Sequence, residues 1–293
     1  MSEKSVEIQS ITEDVERLCR ERPFAQAFVQ PFAGLLTART ALVETLLEEA
    51  RNQPIPEPDV VRLGTGVPLE PRGSFPLDAA KLRRAFDALQ PVMLENFAVP
   101  RTDILTIGAA VQAKEGLLLD LAKDMLGEEQ KFLMQTAYSM GIDARVMGFW
   151  CIQLLTPLAM VRGRLLAPYV PEGVWNWGYC PVCGSWPGLA HGHDATHEMT
   201  CSLCLTSWEY SRPECPVCGA QGTTAVIGMP GSETECLLAC QNCNHFIGEI
   251  VGEPFPGMRK EVEGLALTPL ELMARQQGQY PANLDWRQML WML

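Results

Sequence analysis

Residues 178–219 read GYCPVCGSWPGLAHGHDATHEMTCSLCLTSWEYSRPECPVCG, and CQNC follows at 240–243. Eight of the eleven cysteines therefore stand as four Cys-x-x-Cys pairs: Cys180/Cys183, Cys201/Cys204, Cys215/Cys218 and Cys240/Cys243. The first and third pairs both read CPVCG. The second and fourth lead into TSWEY and NHFIGE, short runs holding an aromatic and a glutamate. One unit is written twice, each copy being two cysteine knuckles about 20 residues apart, which is the spacing of a four-thiolate metal site.

A tetrahedral structural site needs four soft ligands about 2.3 Å from the ion. A Cys-x-x-Cys turn supplies two of them. In CPVCG the proline presets one backbone angle, and the glycine after the second cysteine permits the left-handed conformation that turns the chain away. Amides of the turn can then point at the sulfurs. The repeated order favours sequential pairing, Cys180, Cys183, Cys201 and Cys204 at one site and Cys215, Cys218, Cys240 and Cys243 at the other, over a cross-braced arrangement. The donor set admits two iron or zinc ions per chain. Four sulfurs leave no open position for a substrate water, which disfavours hydrolysis and leaves a structural or one-electron site. A metal should supply much of the stability of so small a module.

The other candidate ligands read differently. Cys236 suits a small apolar strand residue, Cys151 lies in the most apolar helix, and Cys19 reads as a packing residue of the first helix. His191, His193 and His197 are expected on a loop surface between the knuckles of the first unit rather than as a third ligand set. His245 follows a knuckle and is placed to donate a hydrogen bond to a thiolate.

Outward from this stretch the pattern changes. The first half is helical, with expected helices over 11–22, 34–52, 77–97, 101–126, 128–140 and 143–166, making a bundle of six. Leu35, Leu42, Leu46 and Ala50 mark one core face, and Ile104, Leu105, Ala109, Leu117, Leu121 and Met125 another. Gly127 and Gly141 are helix stops. The Pro-rich run 53–76 reads as an ordered connection with a short extended piece at 60–63. Val146–Val161 carries no charge, but at 16 residues with Gln153, Thr156 and Pro157 inside it is short for a bilayer span and reads as a buried helix. Near the C-terminus Thr268 as cap, Pro269 and Glu271 form a helix-start signal, and the tail from Ala282 is expected to fold back onto the core. The chain is thus expected to be α+β: an all-α domain over 1–170, a tandem four-cysteine module over 171–256 (units 171–213 and 214–256), and a helical segment over 257–293.

Charge narrows the function. The chain carries a formal −12, with 47% hydrophobic and 20% charged residues, as a soluble globular protein does. Between Trp175 and Ile250 seven acids face one base, Arg212, a net −6 that two divalent four-thiolate centres would take to about −10. Such a module repels phosphate backbones, and its acids and aromatics, expected to be exposed, suit a protein surface. The opening residues are charged from the third position, against a secretory signal, and paired thiols at metal spacing suit a reducing cytoplasm. The helices hold no clustered acid, histidine or nucleophile set, so a non-enzyme is expected.

GYCPVCGSWP, TCSLCLTSWEYSRPECPVCG and CQNC together resemble the formate dehydrogenase accessory proteins, the FdhE family; a generic zinc ribbon would not reproduce the spacing of Trp208 and Arg212. The resemblance implies rubredoxin-like metal sites associated with iron, the eight knuckle cysteines as ligands, and a cytoplasmic role in maturing formate dehydrogenase through contact with its catalytic subunit. A rubredoxin-like electron carrier or reductase is the alternative, and a nucleic-acid-binding ribbon the less favoured one. The family usually shows an Asp-Asp pair near the start of the last helix; Val262, Glu263 and Gly264 stand there in this chain.

Overall fold

Helix α7 (Ala144–Leu166) organises the first half: every residue from Val146 to Val161 except Gly148 is buried. By length and composition it could cross a membrane, yet it is the inner helix of the protein's own core. Around it pack α2 (Gln26–Ala50), α3 (Ala79–Asn96), α4 (Arg101–Ala113), α5 (Leu117–Leu126) and α6 (Lys131–Met140), while α1 (Glu3–Glu21) lies on α2. The computed structural model describes residues 3–51, 58–127, 129–193, 196–229 and 231–282, with side chains from residue 11 onward and without that of His193. The expected fold-back beyond Ala282 lies outside them.

Seven α-helices, not six, make up this half among the described residues. The expected single helix over 101–126 breaks at Gly116, whose φ of 83° only glycine adopts freely. The break changes the inner face of α4, which presents Ile104, Ile107, Gly108 and Val111 at helical spacing and leaves Leu105 and Ala109 exposed. Leu117, Leu121 and Met125 are buried as expected, as are Leu35, Leu42, Leu46 and Ala50. One buried polar pair in the helical core is matched: Trp150 Nε1 donates to Gln90 Oε1 at 2.5 Å, and Gln90 Nε2 donates to the Ile104 carbonyl at 2.9 Å; the amide of Gln153 on α7 has no partner among the described residues. Residues 60–65 form a 3-10 helix rather than an extended piece, closed by Gly66 at φ 82°.

The second half is built on one mixed sheet. Strands β1 (Pro187–His193), β2 (Thr196–Cys201) and β3 (Ser207–Tyr210) form one antiparallel meander; β4 (Thr224–Gly228), β5 (Glu235–Cys240) and β6 (His245–Val251) form the other. The sheet order is β3-β2-β1-β6-β5-β4, so a parallel β1–β6 seam joins the two repeats. A two-residue strand, β7 (Tyr280–Pro281), adds to β6.

The segment after β6 comes back across the sheet as α8 (Lys260–Glu263), a 3-10 turn (Gly264–Leu267) and α9 (Thr268–Gln276). Leu267 packs where a Cβ on Gly248 would sit, 2.6 Å away. Thr268 does not cap α9: the helix continues from the 3-10 turn, Leu267 already has helical angles, and no side-chain cap bond forms. The start signal falls within one residue of where α9 begins but does not register that a helical turn precedes it. α1 closes on this same segment. Arg259 N donates to Asp14 Oδ2 at 3.1 Å and Arg17 Nη1 to the Pro256 carbonyl at 2.9 Å; just past α1, Arg22 pairs with Glu235 of β5 at 2.5 Å. Arg39 of α2, fully buried, pairs with Glu261 of α8.

Candidate metal centres

The four knuckles share one backbone design. Gly184 and Gly219 follow their second cysteines at φ 75° and 71°, as the sequence suggests. Leu205 and Asn244 occupy the same position in the other two knuckles, at φ 58° each. A leucine there costs on the order of 1 kcal/mol, so the knuckle geometry is imposed on it. The amides of Gly184, Gly219 and Asn244 bond back to the carbonyls of Cys180, Cys215 and Cys240 at 2.8–2.9 Å.

These turns gather the sulfurs as the repeat indicated. Cys180, Cys183, Cys201 and Cys204 form one cluster and Cys215, Cys218, Cys240 and Cys243 the other, each with all ligand atoms within 4.8 Å of one another. In the first, Cys180–Cys204 and Cys183–Cys201 stand 3.5 and 3.4 Å apart; in the second, Cys215–Cys243 and Cys218–Cys240 are 3.9 and 3.7 Å apart. A tetrahedron of sulfurs about 2.3 Å from a central ion has edges of about 3.8 Å, so both clusters can hold a metal ion. Amides support the sulfurs: those of Leu203 and Cys204 each donate to Cys201 Sγ at 3.4 Å.

The two centres differ in setting. The first is buried on every ligand. Its cover includes the Pro-rich connection, whose Leu69, Glu70 and Arg72 amides donate to the carbonyls of Pro181, Val182 and Cys183. Helix α7 closes another side: a Cβ on Gly163 would lie 2.7 Å from the Cys204 carbonyl oxygen. Neither contact is written in the cysteine motif. The second centre has Cys215 and Cys240 buried, Cys243 half-buried and Cys218 exposed. Gly178, just ahead of the first knuckle, lies against the backbone of Pro216 in the third.

Protons are distributed unevenly. Burial pushes the Cys180 and Cys201 thiols up, while hydrogen bonds from Cys180, Cys201 and Cys204 hold Cys183 well below the usual range. In the second cluster burial pushes Cys215 up to about 12. Burial also opposes ionisation of Cys240, but the Thr223 hydroxyl and the amides of Cys243 and Asn242 outweigh it and bring it to about 6. The Ala220 amide and the Asn242 side chain lower Cys218. Each cluster thus has thiolate character to offer a cation.

The remaining candidates stay outside the clusters. Cys151 is buried in α7, Cys19 is half-buried against the core, and Cys236 lies buried on β5 with Sγ 3.3 Å from Glu249 Oε2. His191 and His197 are not on a loop surface, and the side chain of His193 lies outside the described residues. His191 is buried on β1 with Nε2 2.6 Å from Glu263, and His197 on β2 has Nδ1 2.7 Å from Glu249. The hairpin is longer than its Gly and His content suggested, and carboxylates from β6 and α8 meet the rings. The ring of His245 makes no thiolate bond; its backbone amide supports Cys243 instead. The module's aromatics are also less exposed than expected: Trp175, Trp208 and Tyr210 are buried, and Arg212 lies over the Trp177 ring at 5.0 Å.

Fold and clusters define a class: a helical body carrying a duplicated four-cysteine ribbon. Within that class the chain is similar to proteins named FdhE. It is 32% identical to an FdhE homolog of Aquifex aeolicus over 146 residues, 47% of this chain and 50% of the relative, so it spans about half that protein's length. It is 24% identical to an FdhE homolog of Actinobacillus pleuropneumoniae over 258 residues, 85% of this chain and 80% of the relative. The crystal structure of the FdhE protein from Pseudomonas aeruginosa superposes with a TM-score of 0.52 over 96% of this chain and 94% of that one, at 18% identity, and shares its fold. No family model matches the chain. The resemblance to the FdhE family read from the cysteine motifs therefore holds across the sequence and the fold.

Proposed function

We propose that this protein is an accessory factor in formate dehydrogenase maturation that works in the cytoplasm without catalysing a reaction itself. The eight knuckle cysteines bind two metal ions, iron or zinc, and the metal-stapled body holds the immature catalytic subunit. The observation that carries this reading is the pair of ready-made four-thiol tetrahedra on a fold shared with an FdhE protein. Four thiolates close the coordination sphere, which suits a site that shapes a surface rather than one that activates water.

The test is capture and metal content together. Anaerobically purified protein should carry two ions per chain, and should co-purify with an immature formate dehydrogenase catalytic subunit. Absence of metal with all eight thiols reactive, or no capture and unaltered formate oxidation in a deletion strain, refutes it. A second reading, iron-based electron transfer, draws on the second centre, where Cys218 and Cys243 bring the cluster to the surface. Visible ferric-thiolate absorption that bleaches and recovers with a one-electron reductant favours it; a colourless zinc protein removes it.

A further inference from the structure

The sheet ends on one side at β3, and among the described residues the backbone of Ser207–Tyr210 bonds only to β2. Every second residue of such an edge directs its N–H and C=O away from the sheet. A cavity of about 410 Å³ lies against this edge, lined successively by Thr206, Ser207, Trp208 and Glu209. Successive strand residues point to opposite faces, so the cavity borders the strand's edge rather than one face of the sheet. Its far wall is the turn that follows α7, from Ala167 through Val170 to Gly173. The volume falls within the roughly 300–1,000 Å³ of ligand-holding clefts.

The chemistry of the walls is one-signed. Glu172 and Glu209 line the cavity, both exposed, and neither pairs with a cation among the described residues. Among the described residues no lysine, arginine or histidine lines it. Lys260, which reaches Ser207, is engaged with Glu198, and Arg212 with Glu214 and the Trp177 ring. The floor includes Trp175 and Trp208, whose indole N–H groups are already committed to the carbonyls of Tyr179 and Trp177 at 2.8 and 3.0 Å. Both rings are buried, so they show the cavity only a narrow apolar edge.

We propose that the β3 edge and this cavity form a docking groove for an extended peptide segment bearing a lysine or arginine. The segment adds to the sheet through its backbone, runs its aliphatic stem through the cavity and brings its cation to Glu172 and Glu209. An open edge selects an extended backbone, and two unpaired carboxylates select the charge. This deepens the client-holding reading and rests on it for its biological role: the groove names what kind of segment a client would offer.

The test uses the full metal-loaded chain and two blocked hexapeptides of alternating threonine and valine, one with a central arginine and one with glutamate there instead. Calorimetric titration should detect the arginine peptide and not the glutamate peptide. Glu172→Gln with Glu209→Gln should weaken it about tenfold and flatten its salt dependence. Val170→Trp, which fills the cavity from its far wall, should abolish binding while leaving the melting temperature in place. Equal binding of both peptides, binding of neither, or indifference to both variants overturns the groove. Capture of the formate dehydrogenase catalytic subunit is measured in parallel. Full capture without arginine-peptide binding overturns the groove and leaves the accessory role standing. Arginine-peptide binding as described with no capture overturns the accessory role and leaves the groove standing.

Discussion

Gly178→Ala tests how the two metal centres are held in register. A Cβ at Gly178 would lie 1.8 Å from the Pro216 carbonyl oxygen, 2.5 Å from its carbon and 2.7 Å from its Cα. Side-chain carbons do not come closer than about 3.0 Å to such atoms, so the two backbones must part by at least about 1.2 Å. Neither can do so freely. Gly178 is two residues ahead of Cys180, whose amide is bonded to Ser185, and Pro216 follows Cys215, whose amide is bonded to Ala220. Metal–sulfur distances tolerate only about 0.2 Å. The strain should go to the second centre, which is the more exposed. We expect a cost of about 1–3 kcal/mol, a melting temperature lowered on the order of 5 °C, and metal content falling from two ions per chain toward one. Calorimetry and elemental analysis read the two quantities. Gly228→Ala on β4 is the control, because a Cβ there meets nothing within 4 Å. If the two variants melt together and carry the same metal, the close approach does not hold the centres in register.

Three further outcomes follow from the packing. Glu261→Gln removes the carboxylate that pairs with the fully buried Arg39 and should cost about 3–5 kcal/mol in urea denaturation, while the double change Arg39→Met, Glu261→Leu should recover most of it. Gly148→Ala should stabilise α7 by about 0.5–1 kcal/mol in the same assay, since a Cβ there meets no atom within 4 Å and glycine is costly inside a helix. Burial works against ionisation of Glu235, but Arg22, Ser232 and Thr234 outweigh it and hold its carboxyl below 4.5. A group whose value is depressed by folding contributes stability that is present above its unfolded value and is lost as pH falls through the folded one. Wild type should therefore lose stability below about pH 4.5 more steeply than Glu235→Gln, as acid titration of the urea midpoint will record.

What the sequence disclosed follows from how local each signal is. The knuckles were legible because their chemistry sits within four residues and is repeated, and α7 because sixteen uncharged residues have nowhere else to go. The sealing of the first centre was not. The connection over 66–72 and Gly163 come from elements far from the cysteines, and a Pro-rich run does not say what it will lie against. The break at Gly116 is hidden in the sequence because apolar residues continue on both sides of it at spacings that also suit one helix. The setting of His191 and His197 is not legible locally because their partners, Glu263 and Glu249, are 72 and 52 residues away. A local reading sees glycines and histidines and infers a loop. Leu205 is the converse lesson. Its place in the repeated knuckle marks a left-handed position, although its residue type argues against one.

The clasp between α1 and the segment around α8 has a consequence for synthesis. Arg17 and Asp14 meet Pro256 and Arg259 across 239 and 245 residues of chain. At 5–20 residues per second the ribosome needs roughly 10–50 s to deliver the second half of that clasp. Throughout that interval α1 can rest on α2 but cannot be fastened. Closure therefore waits until the chain has passed residue 259, and a chain stopped short of residue 260 would betray the defect far from the stop, as protease sensitivity of the first helix.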